Sequence, residues 1–322
     1  MQDLVSVIIL SYKNGDLLFE SIDSVLKQDY PQIELLIAED CAPDFDANRV
    51  YQYIETNKKA NIVSFSVMVN NENLGTVKNI NKALKVASGK YIKIIAGDDV
   101  FYSEDVFSAQ VDYLKLHSDT MFVTGDMLEC DEELNPLFSR GFEPDHKMEL
   151  LSSSYDKLLK YICRIEPQLL ATQAICFRMD FFKEYGFYDE RLVLIEDLPM
   201  AIRMIQSGME IGYINKCIFS HRNQTGVSSS KVAFDPARKK YYLDLKNYFE
   251  KILLPISDQV GKLFVNMRYK IACLRLEALD NDKNRLFLYI KYSIPLIYYF
   301  LSNTSRAIEY FFQLVKEGRN EK

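Results

Sequence analysis

The chain has few of the features that would place it in a common protein class by motif alone. Its 322 residues include no tryptophan, only 12 glycines and three histidines, and six scattered cysteines without a CxxC pair. Neither GxGxxG nor GxxxxGK[ST] occurs, which argues against a Rossmann dinucleotide site and against a P-loop NTPase. The cysteine pattern predicts buried thiols, as suits a reducing cytosol, and not a disulfide framework.

Long hydrophobic runs are also missing. No uninterrupted apolar stretch reaches the roughly 18 to 20 residues of a bilayer span, and the nearest candidate, 286–301, contains Lys291 and Pro295. The N-terminus has neither a basic leader nor a small-residue cleavage site, so we expect a first buried strand there and not a signal peptide. The expectation is a cytoplasmic protein, soluble or peripheral on the inner face of the plasma membrane.

The charged residues are unevenly distributed. Overall, 39 basic and 45 acidic side chains give a net charge of -6, which disfavours a nucleic-acid binder. Residues 231–322 carry 17 basic and 10 acidic side chains, a balance of +7, whereas residues 1–230 have a balance of -13. At 322 residues the chain is long enough for two domains, and its 48% apolar residues can form their cores. We therefore expect two parts with different roles, 1–230 and 231–322.

Short apolar runs alternate with helical patterns in the first part. The runs, rich in β-branched residues, predict strands over 4–10, 33–38, 62–69, 91–96 and 121–128. This alternation about every 30 residues predicts an α/β fold with a mostly parallel sheet and helices on both faces.

The alternation breaks after about residue 130. We expect a strand over 171–178, a helix over 197–207, a strand over 210–215 and a polar loop over 220–231. Beyond Pro236 the pattern is wholly helical, with segments near 237–255, 259–281, 284–302 and 304–318. Their alternating aromatic, aliphatic and basic residues fit either a helical bundle or dimer face, or an interfacial helix on anionic lipid.

Polar side chains follow three of the predicted strands. They are Ser11, Tyr12, Glu39, Asp40, Asp98 and Asp99. Ligands of parallel α/β sheets bind outside the carboxyl ends of the strands, so these side chains should share one rim. Four carboxylates there would repel one another unless a cation offset the charge, and oxygen ligands suit Mg2+ or Mn2+. The alternative is that Asp98 and Asp99 cap a helix starting near Ser103.

Five ordered motifs resemble the family 2 glycosyltransferases. They are SVIILSYKN, ELLIAED, NENLGTVKNINKAL, SGKYIKIIAGDD and IEDLPMAIRMIQSG. The resemblance covers about residues 4–230 and implies the GT-A fold, which binds nucleotide-diphospho-sugars, followed here by an all-helical C-terminal extension. It also implies inverting transfer of a sugar from a nucleotide donor.

The resemblance implies a nucleotide site and a metal site. The nucleotide-binding residues would be Leu10, Ser11, Tyr12, Asp40, Asn73, Lys78 and Asp98. Among them, Tyr12 would stack on the base and Asp40 would hydrogen-bond the uracil or ribose. Asp99 would bind the Mn2+ or Mg2+ that bridges the diphosphate. The family commonly has DxD where this chain has AGDD, so Asp99 would bear more of the metal binding.

Glu196 and Asp197 match the ED motif of the family. The departing nucleoside diphosphate concentrates negative charge that a divalent ion stabilises, and a base must accept the proton of the attacking hydroxyl. A partly buried carboxylate near another acid can have its pKa raised toward that task. We assign Asp197 as the base; the alternative for the pair is ordinary acidic charge at a helix N-terminus.

His221 and Arg222 lie in the polar segment FSHRNQTGVSSS. In related enzymes a basic pair after the ED helix and its following strand reaches the metal or diphosphate from a mobile loop. The resemblance therefore implies His221 as a metal ligand and Arg222 as a diphosphate ligand on a lid over 220–231. A structural or solvent-facing His221 stays open. His117 and His146 are expected on the surface.

The leading hypothesis is a metal-dependent inverting glycosyltransferase of surface-polysaccharide synthesis, of capsule or O-antigen type. Its donor would be a UDP-sugar and its acceptor a glycan on a polyprenyl diphosphate; peripheral membrane contact or homo-oligomerisation would involve 231–322. One alternative is a nucleotidyltransferase, although the chain lacks the glycine- and basic-rich N-terminal signature expected there. Another is a scaffold or oligomerisation module with a vestigial acidic rim.

Overall fold

The structure, a computed structural model, describes residues 3–137, 144–165, 169–223, 238–280, 290–295 and 297. The polypeptide divides into two units, Met1–Lys231 and Val232–Lys322. Within the described ranges, no helix has both the length and the apolar character needed to cross a membrane.

One eight-stranded sheet organises the first unit. Its strands are β1 Val5–Ser11, β2 Ile33–Glu39, β3 Ile62–Val69, β4 Tyr91–Ala96, β5 Val100–Phe101, β6 Phe122–Cys130, β7 Cys176–Arg178 and β8 Gly212–Arg222. The spatial order is β3-β2-β1-β4-β7-β6-β8-β5. Strands β3, β2, β1 and β4 are mutually parallel, as are β6 and β8, whereas β7 is antiparallel to both neighbours and β5 is antiparallel to β8. The predicted α/β fold is confirmed, with antiparallel strands that the alternation did not reveal.

Helices flank this sheet. Their apolar residues recur at helical spacing, which gives each helix an apolar face to bury. They are α1 Leu17–Leu26, α2 Ala47–Asn57, α3 Thr76–Leu84, α4 Val106–Leu116, α5 Pro144–Leu151, α6 Tyr155–Arg164, α7 Met179–Tyr185 and α8 Asp197–Gln206. In α1, Leu18, Ile22 and Val25 share one buried face in the core cluster that also includes the inward residues of β1 and β2. The side chain of Asp46 begins α2 by accepting hydrogen bonds from two backbone N–H groups of its first turn.

The register aligns the carboxyl ends of three neighbouring parallel strands, β2, β1 and β4. Ser11 of β1 pairs with Glu39 of β2, and Leu10 of β1 pairs with Ala96 of β4. The turns that follow these strands therefore emerge at a common rim, as the sequence predicted.

The predicted strand over 171–178 is wrong in its first half. Only Cys176–Arg178 is extended, and Thr172–Ala174 forms a 3₁₀ turn. The carbonyl of Ala174 accepts a hydrogen bond from Gln110 Nε2 at 2.9 Å, and that of Ile175 accepts one from Lys93 Nζ at 3.1 Å. Buried polar side chains thus satisfy carbonyls that a strand would present to a neighbouring strand.

The predicted strand over 210–215 continues much further, to Arg222. Ser220 pairs with Val100 of β5, and His221 pairs with Glu129 of β6. The segment expected to be a lid over 220–231 therefore begins as a strand, and residues 224–231 lie outside the described residues. The polar composition predicted a loop. It could not reveal the strand, because the pairing partners of this segment are distant in sequence.

The second unit is helical where it is described. Helix α9 is Lys239–Tyr248, a π-helical turn covers Phe249–Leu253, α10 is Leu254–Ile256 and α11 is Gln259–Asp280. These elements confirm the predicted helices over 237–255 and 259–281. The predicted helix over 284–302 is described only at 290–295 and 297, and that over 304–318 lies outside the described residues.

Several aromatic residues of the second unit pack inside it. Tyr242 of α9 is buried, and the guanidinium of Arg275 on α11 lies 5.3 Å from its ring centroid. Lys246 of α9 lies over the ring of Tyr269 of α11 at 5.9 Å. Part of the aromatic and basic pattern therefore holds α9 against α11. The six cysteines of the chain are free thiols.

Candidate functional site

The carboxyl end of β1 is joined to its neighbours on both sides. The carbonyl of Leu10 accepts a hydrogen bond from Gly97 N at 2.8 Å, and that of Ser11 accepts one from Asp40 N at 2.9 Å. Leu10 is half-buried and Ser11 buried. These two bonds extend the parallel ladders past the strand ends, so the turns carrying Asp40 and Gly97 are fixed relative to β1.

Tyr12 projects from this rim with 43% of its surface exposed. The chain turns sharply after it, because Lys13 has a φ of 58° and Asn14 Oδ1 accepts a hydrogen bond from Tyr12 N at 2.7 Å. The Lys13 ammonium lies 5.2 Å from the Tyr12 ring centroid. An aromatic face at the rim suits stacking on a planar ligand.

Asp40 is buried and organises the turn that leads into α3. Its Oδ1 accepts hydrogen bonds from Asn70 Nδ2 at 3.0 Å and Leu74 N at 2.8 Å, and its Oδ2 accepts one from Gly75 N at 2.8 Å. Its backbone carbonyl accepts a hydrogen bond from Asn73 Nδ2 at 3.4 Å. The carboxylate predicted to contact the nucleotide therefore positions the loop bearing Asn73.

The neighbouring Glu39 also directs its carboxylate to the backbone. Oε2 accepts from Cys41 N at 2.7 Å and Oε1 from Ala42 N at 2.9 Å. Burial raises the pKa of Glu39, although these hydrogen bonds oppose that shift. The expectation that four carboxylates gather around one cation was wrong. Glu39 and Asp40 are satisfied by N–H donors, and no group of three or more metal-binding side chains occurs among the described residues.

Asp99, which follows β4 at this rim, forms an acidic and basic pair with His221 of β8. Asp99 Oδ2 lies 3.1 Å from His221 Nδ1, with Asp99 buried and 29% of the His221 side chain exposed. The two meet because β5, which follows Asp99, runs antiparallel to β8, which contains His221. The hydrogen bond to Asp99 raises the pKa of His221 and outweighs the opposing effect of burial.

This pair fits a divalent cation as a two-ligand site. The carboxylate oxygen of Asp99 suits Mn2+ or Mg2+, and Mg2+ keeps several waters or phosphate oxygens; the imidazole of His221 would be the second protein ligand. Asp98 and Asp99 do not cap a helix, since α4 begins only at Val106, after β5. Asp98 is half-buried beside the pair.

Arg222 does not lie on a mobile lid, where it was predicted. It is the last residue of β8 and 1% exposed. Its Nη1 donates to Asp98 O at 2.6 Å, its Nε donates to Glu132 O at 2.9 Å, and its Nη2 donates to the Glu20 carboxylate. Its backbone N donates to Asp99 Oδ1 at 2.7 Å. The lid placement was wrong for both His221 and Arg222 because strand pairing fixes them; the diphosphate contact of Arg222 stays a prediction.

The Glu196–Asp197 pair stands at the start of α8. Asp197 Oδ1 accepts a hydrogen bond from Leu198 N at 2.8 Å. The preceding loop is held to the start of α3, where Val77 N donates to Val193 O at 3.0 Å. Gly75 allows this approach, because a Cβ built there would lie 2.4 Å from Val193 Cγ1. The turn that Asp40 organises thus contacts the segment that carries the ED pair.

The electrostatic surroundings of Glu196 favour its neutral form. Burial raises the pKa of Glu196, and the adjacent charge of Asp197 raises it further. The pKa of Tyr188 is likewise raised by burial and by the charge of Glu196. When two neighbouring carboxyl groups are partly buried, the charge of one disfavours ionisation of the other. The pair therefore retains one proton at pH values above the usual pKa of a carboxyl group.

Sequence inspection missed the asparagines that assemble this region. Asn81 of α3 holds both backbone groups of Tyr188: its Nδ2 donates to Tyr188 O and its Oδ1 accepts from Tyr188 N, each at 2.9 Å. Asn79 Nδ2 donates to Ala38 O at 2.8 Å, and its Oδ1 accepts from Asn70 Nδ2 at 2.9 Å. A signal was available, because asparagines are poor helix formers and both occupy a predicted helix. The remaining candidates, Asn73 and Lys78, are exposed around the start of α3.

The fold is GT-A-like: a sheet flanked by helices, with polar residues that follow β1, β2 and β4 at one rim. The mannosyltransferase PcManGT of Pyrobaculum calidifontis, solved with GDP-Man and Mn2+, has this fold. It superimposes with a TM-score of 0.59 at 16% identity, over 97% of this chain and 85% of that chain.

The chain belongs to glycosyl transferase family 2, whose sequence profile matches residues 6–185. It is 31% identical over 241 residues to the putative teichuronic acid biosynthesis glycosyltransferase TuaG of Bacillus subtilis, covering 74% of this chain and 86% of that protein. It is 28% identical over 289 residues to the UDP-Glc:alpha-D-GlcNAc-diphosphoundecaprenol beta-1,3-glucosyltransferase WfaP of Escherichia coli, covering 89% of this chain and 97% of the relative. The predicted family and enzyme class are confirmed.

Proposed function

We propose that this glycosyltransferase inverts the anomeric centre of a UDP-sugar as it transfers the sugar to a glycan hydroxyl in surface-polysaccharide synthesis. Asp99 and His221 would hold Mn2+ or Mg2+, and Asp197 would be the general base. The observation that carries the proposal is the 3.1 Å contact between Asp99 and His221. It brings together two ligand types that are 122 positions apart in the chain, next to the rim where the nucleotide would bind.

Nucleotide binding would use the rim around β1 and the start of α3. Tyr12 offers an exposed ring for the base. Asn73, in the turn held by Asp40, and Lys78, in the first turn of α3, are both exposed and would face the ribose and the diphosphate. The name of the E. coli relative specifies UDP-Glc, which favours uridine, whereas the Pyrobaculum structure contains GDP-Man.

Transfer requires a proton acceptor and a stabilised leaving group. The acceptor hydroxyl oxygen attacks the anomeric carbon while its proton passes to the Asp197 carboxylate, and the bond to the UDP oxygen breaks with inversion. A bound divalent cation supplies stabilisation of the negative charge on the departing diphosphate. Burial raises the pKa of Glu196, which favours its neutral form above the usual carboxyl range, and Asp197 would serve as the proton-accepting carboxylate of the pair.

The acceptor would be a glycan on a polyprenyl diphosphate. The name of the E. coli relative specifies a diphosphoundecaprenol acceptor, and that of the B. subtilis relative specifies teichuronic acid biosynthesis. Such an acceptor would require the enzyme to work at the cytoplasmic face of the plasma membrane, and the capsule and O-antigen classes are the polysaccharides we favour.

The C-terminal helical region would provide peripheral membrane contact. On α11, Val260 and Leu263 are 47% and 62% exposed, and Lys262 lies between them. An apolar patch with adjacent cations suits an anionic lipid surface. Flotation of the full chain with anionic liposomes tests this; co-migration as a dimer without lipid binding would instead support the homo-oligomer.

Replacement of Asp197 by Asn tests the catalytic assignment. Loss of the base should reduce transfer by about 10²- to 10⁴-fold while calorimetry still detects Mn2+-dependent UDP binding. Glu196→Gln is the matched control, because it keeps a neutral hydrogen-bonding group and should retain most activity. Full turnover by Asp197→Asn would refute the assignment, and an absence of metal-dependent UDP binding in the wild type would refute the proposed function. A donor panel including GDP-mannose identifies the base and the sugar.

A further inference from the structure

The largest fully buried side chain in the described part of the protein is a charged one, Arg222. Burying a guanidinium is costly unless hydrogen bonds and an opposite charge compensate for lost hydration. Arg222 has both kinds of compensation, since it donates to two carbonyls and forms an ion pair with Glu20. Arg222 is thus buried next to the residues of the proposed metal site, and its contacts bear on those residues.

The three guanidinium contacts join segments that are distant in sequence. Glu20 belongs to α1, Asp98 to the acidic turn after β4, and Glu132 to the segment after β6. Arg222 itself ends β8, so one side chain fixes four pieces of the rim relative to one another. The planar guanidinium directs its N–H groups along fixed directions, which a lysine ammonium does not reproduce.

The backbone of Arg222 acts on the same turn as its side chain. The N–H of Arg222 donates to Asp99 Oδ1 at 2.7 Å, and Nη1 donates to the Asp98 carbonyl at 2.6 Å. The peptide between Asp98 and Asp99 and the Asp99 carboxylate are therefore both held by one residue. That carboxylate keeps its other oxygen beside His221.

We propose that Arg222 is a positioning residue that presets Asp99 and His221 for the divalent cation, and that it does not bind the donor diphosphate. The inference rests on the proposed function, because the cation is part of it. The guanidinium lies in the interior with three protein acceptors, whereas a diphosphate ligand would need to face the rim. If Arg222 instead contacted the diphosphate directly, its replacement should leave metal affinity unchanged in the absence of nucleotide.

Arg222→Met removes the donors at similar side-chain length, and Arg222→Lys retains the charge without the planar fork. Free Mn2+ is followed by electron paramagnetic resonance, first without nucleotide and then with UDP. Loss of a group that orients a metal ligand typically weakens metal binding about 10- to 100-fold, and we expect this range for Arg222→Met. Arg222→Lys should fall between it and the wild type. At saturating Mn2+, UDP affinity should change by much less than the tenfold minimum expected for the metal in either variant.

Arg178→Met is the matched control for a structural arginine. Arg178 Nε donates to Thr120 O at 2.9 Å, and its Nη2 donates to Leu114 O, so its loss also removes hydrogen bonds to backbone carbonyls. It should lower the melting temperature without changing Mn2+ affinity. If Arg222→Met does not fold, Arg222→Lys carries the test.

The outcomes separate the inference from the proposed function. Unchanged Mn2+ affinity in a folded Arg222 variant, with weaker UDP binding at saturating Mn2+, would overturn the positioning role and support a diphosphate ligand. Equal loss of Mn2+ affinity in Arg178→Met would also overturn it. A wild-type enzyme that binds UDP without any effect of metal would instead overturn the proposed metal site.

Discussion

Gly75→Ala should destabilise the protein at the junction between the Asp40 turn and the ED segment. Gly75 has φ 82° and ψ 164°, a conformation that is essentially restricted to glycine and costs other residues about 1–3 kcal/mol. The added Cβ would also lie 2.4 Å from Val193 Cγ1 and 2.8 Å from Val193 O. Overpacking of this kind costs about 1–3 kcal/mol. Alanine recovers about 0.4–1 kcal/mol by restricting the unfolded chain, so we expect a net loss of about 1–6 kcal/mol.

This loss is measurable because domains of ordinary stability unfold at a cost of about 5–15 kcal/mol. Urea titration of the wild type and Gly75→Ala gives the difference through the transition midpoint. Activity should fall as well, since Val193 lies three residues before Glu196 and its displacement would shift the start of α8.

Two further variants separate the conformational strain from the steric clash. Gly208 has φ +72° and nothing within 4 Å of its built Cβ, so Gly208→Ala measures the cost of a positive φ alone. The double variant Gly75→Ala/Val193→Ala removes the Cγ1 contact but keeps that with the carbonyl, and it should recover part of the loss. If Gly75→Ala is no more destabilising than Gly208→Ala, the close approach of Val193 does not constrain this junction.

Two pH-dependent predictions follow from buried ionisable groups. Burial lowers the pKa of Lys93 from 10.5 to about 7. Between these pH values the unfolded chain binds more protons than the native chain, so the free energy of unfolding rises with pH. Lys93→Met should remove that rise in urea titrations across this window, and the same pH dependence in variant and wild type would contradict the argument. Burial, with the charge of Asp197, raises the pKa of Glu196 above 4.5, so above 4.5 the native chain binds more protons and the free energy of unfolding falls with rising pH until Glu196 ionises in the native state. Glu196→Gln should lose this fall, and an unaltered pH dependence of its transition midpoint would show that Glu196 is not perturbed.

The sequence predicted the strands and the rim correctly where the local apolar pattern also marked the ends of the strands. The strands over 33–38, 62–69 and 91–96 were placed within one residue, and the rim position of Tyr12, Asp40 and Asp99 followed from them. The assignment of individual roles was weaker. Asp40 turned out to hold a loop by three hydrogen bonds to its carboxylate, which its position after a strand does not reveal. The antiparallel β7 and the length of β8 were missed because their partners are far away in the chain.

The sequence by itself determined the alternation of strands and helices, because the periodicity of apolar residues depends on neighbours a few positions apart. It also supplied the ordered motifs that identify the family. Only the tertiary structure decided which polar groups meet. Asp99 and His221 are 122 positions apart, Asn81 and Tyr188 are 107 apart, and Arg222 and Glu20 are 202 apart. These pairs form because the order of strands places β5 beside β8 and because α3 packs against the loop before α8, and neither arrangement is encoded in local periodicity.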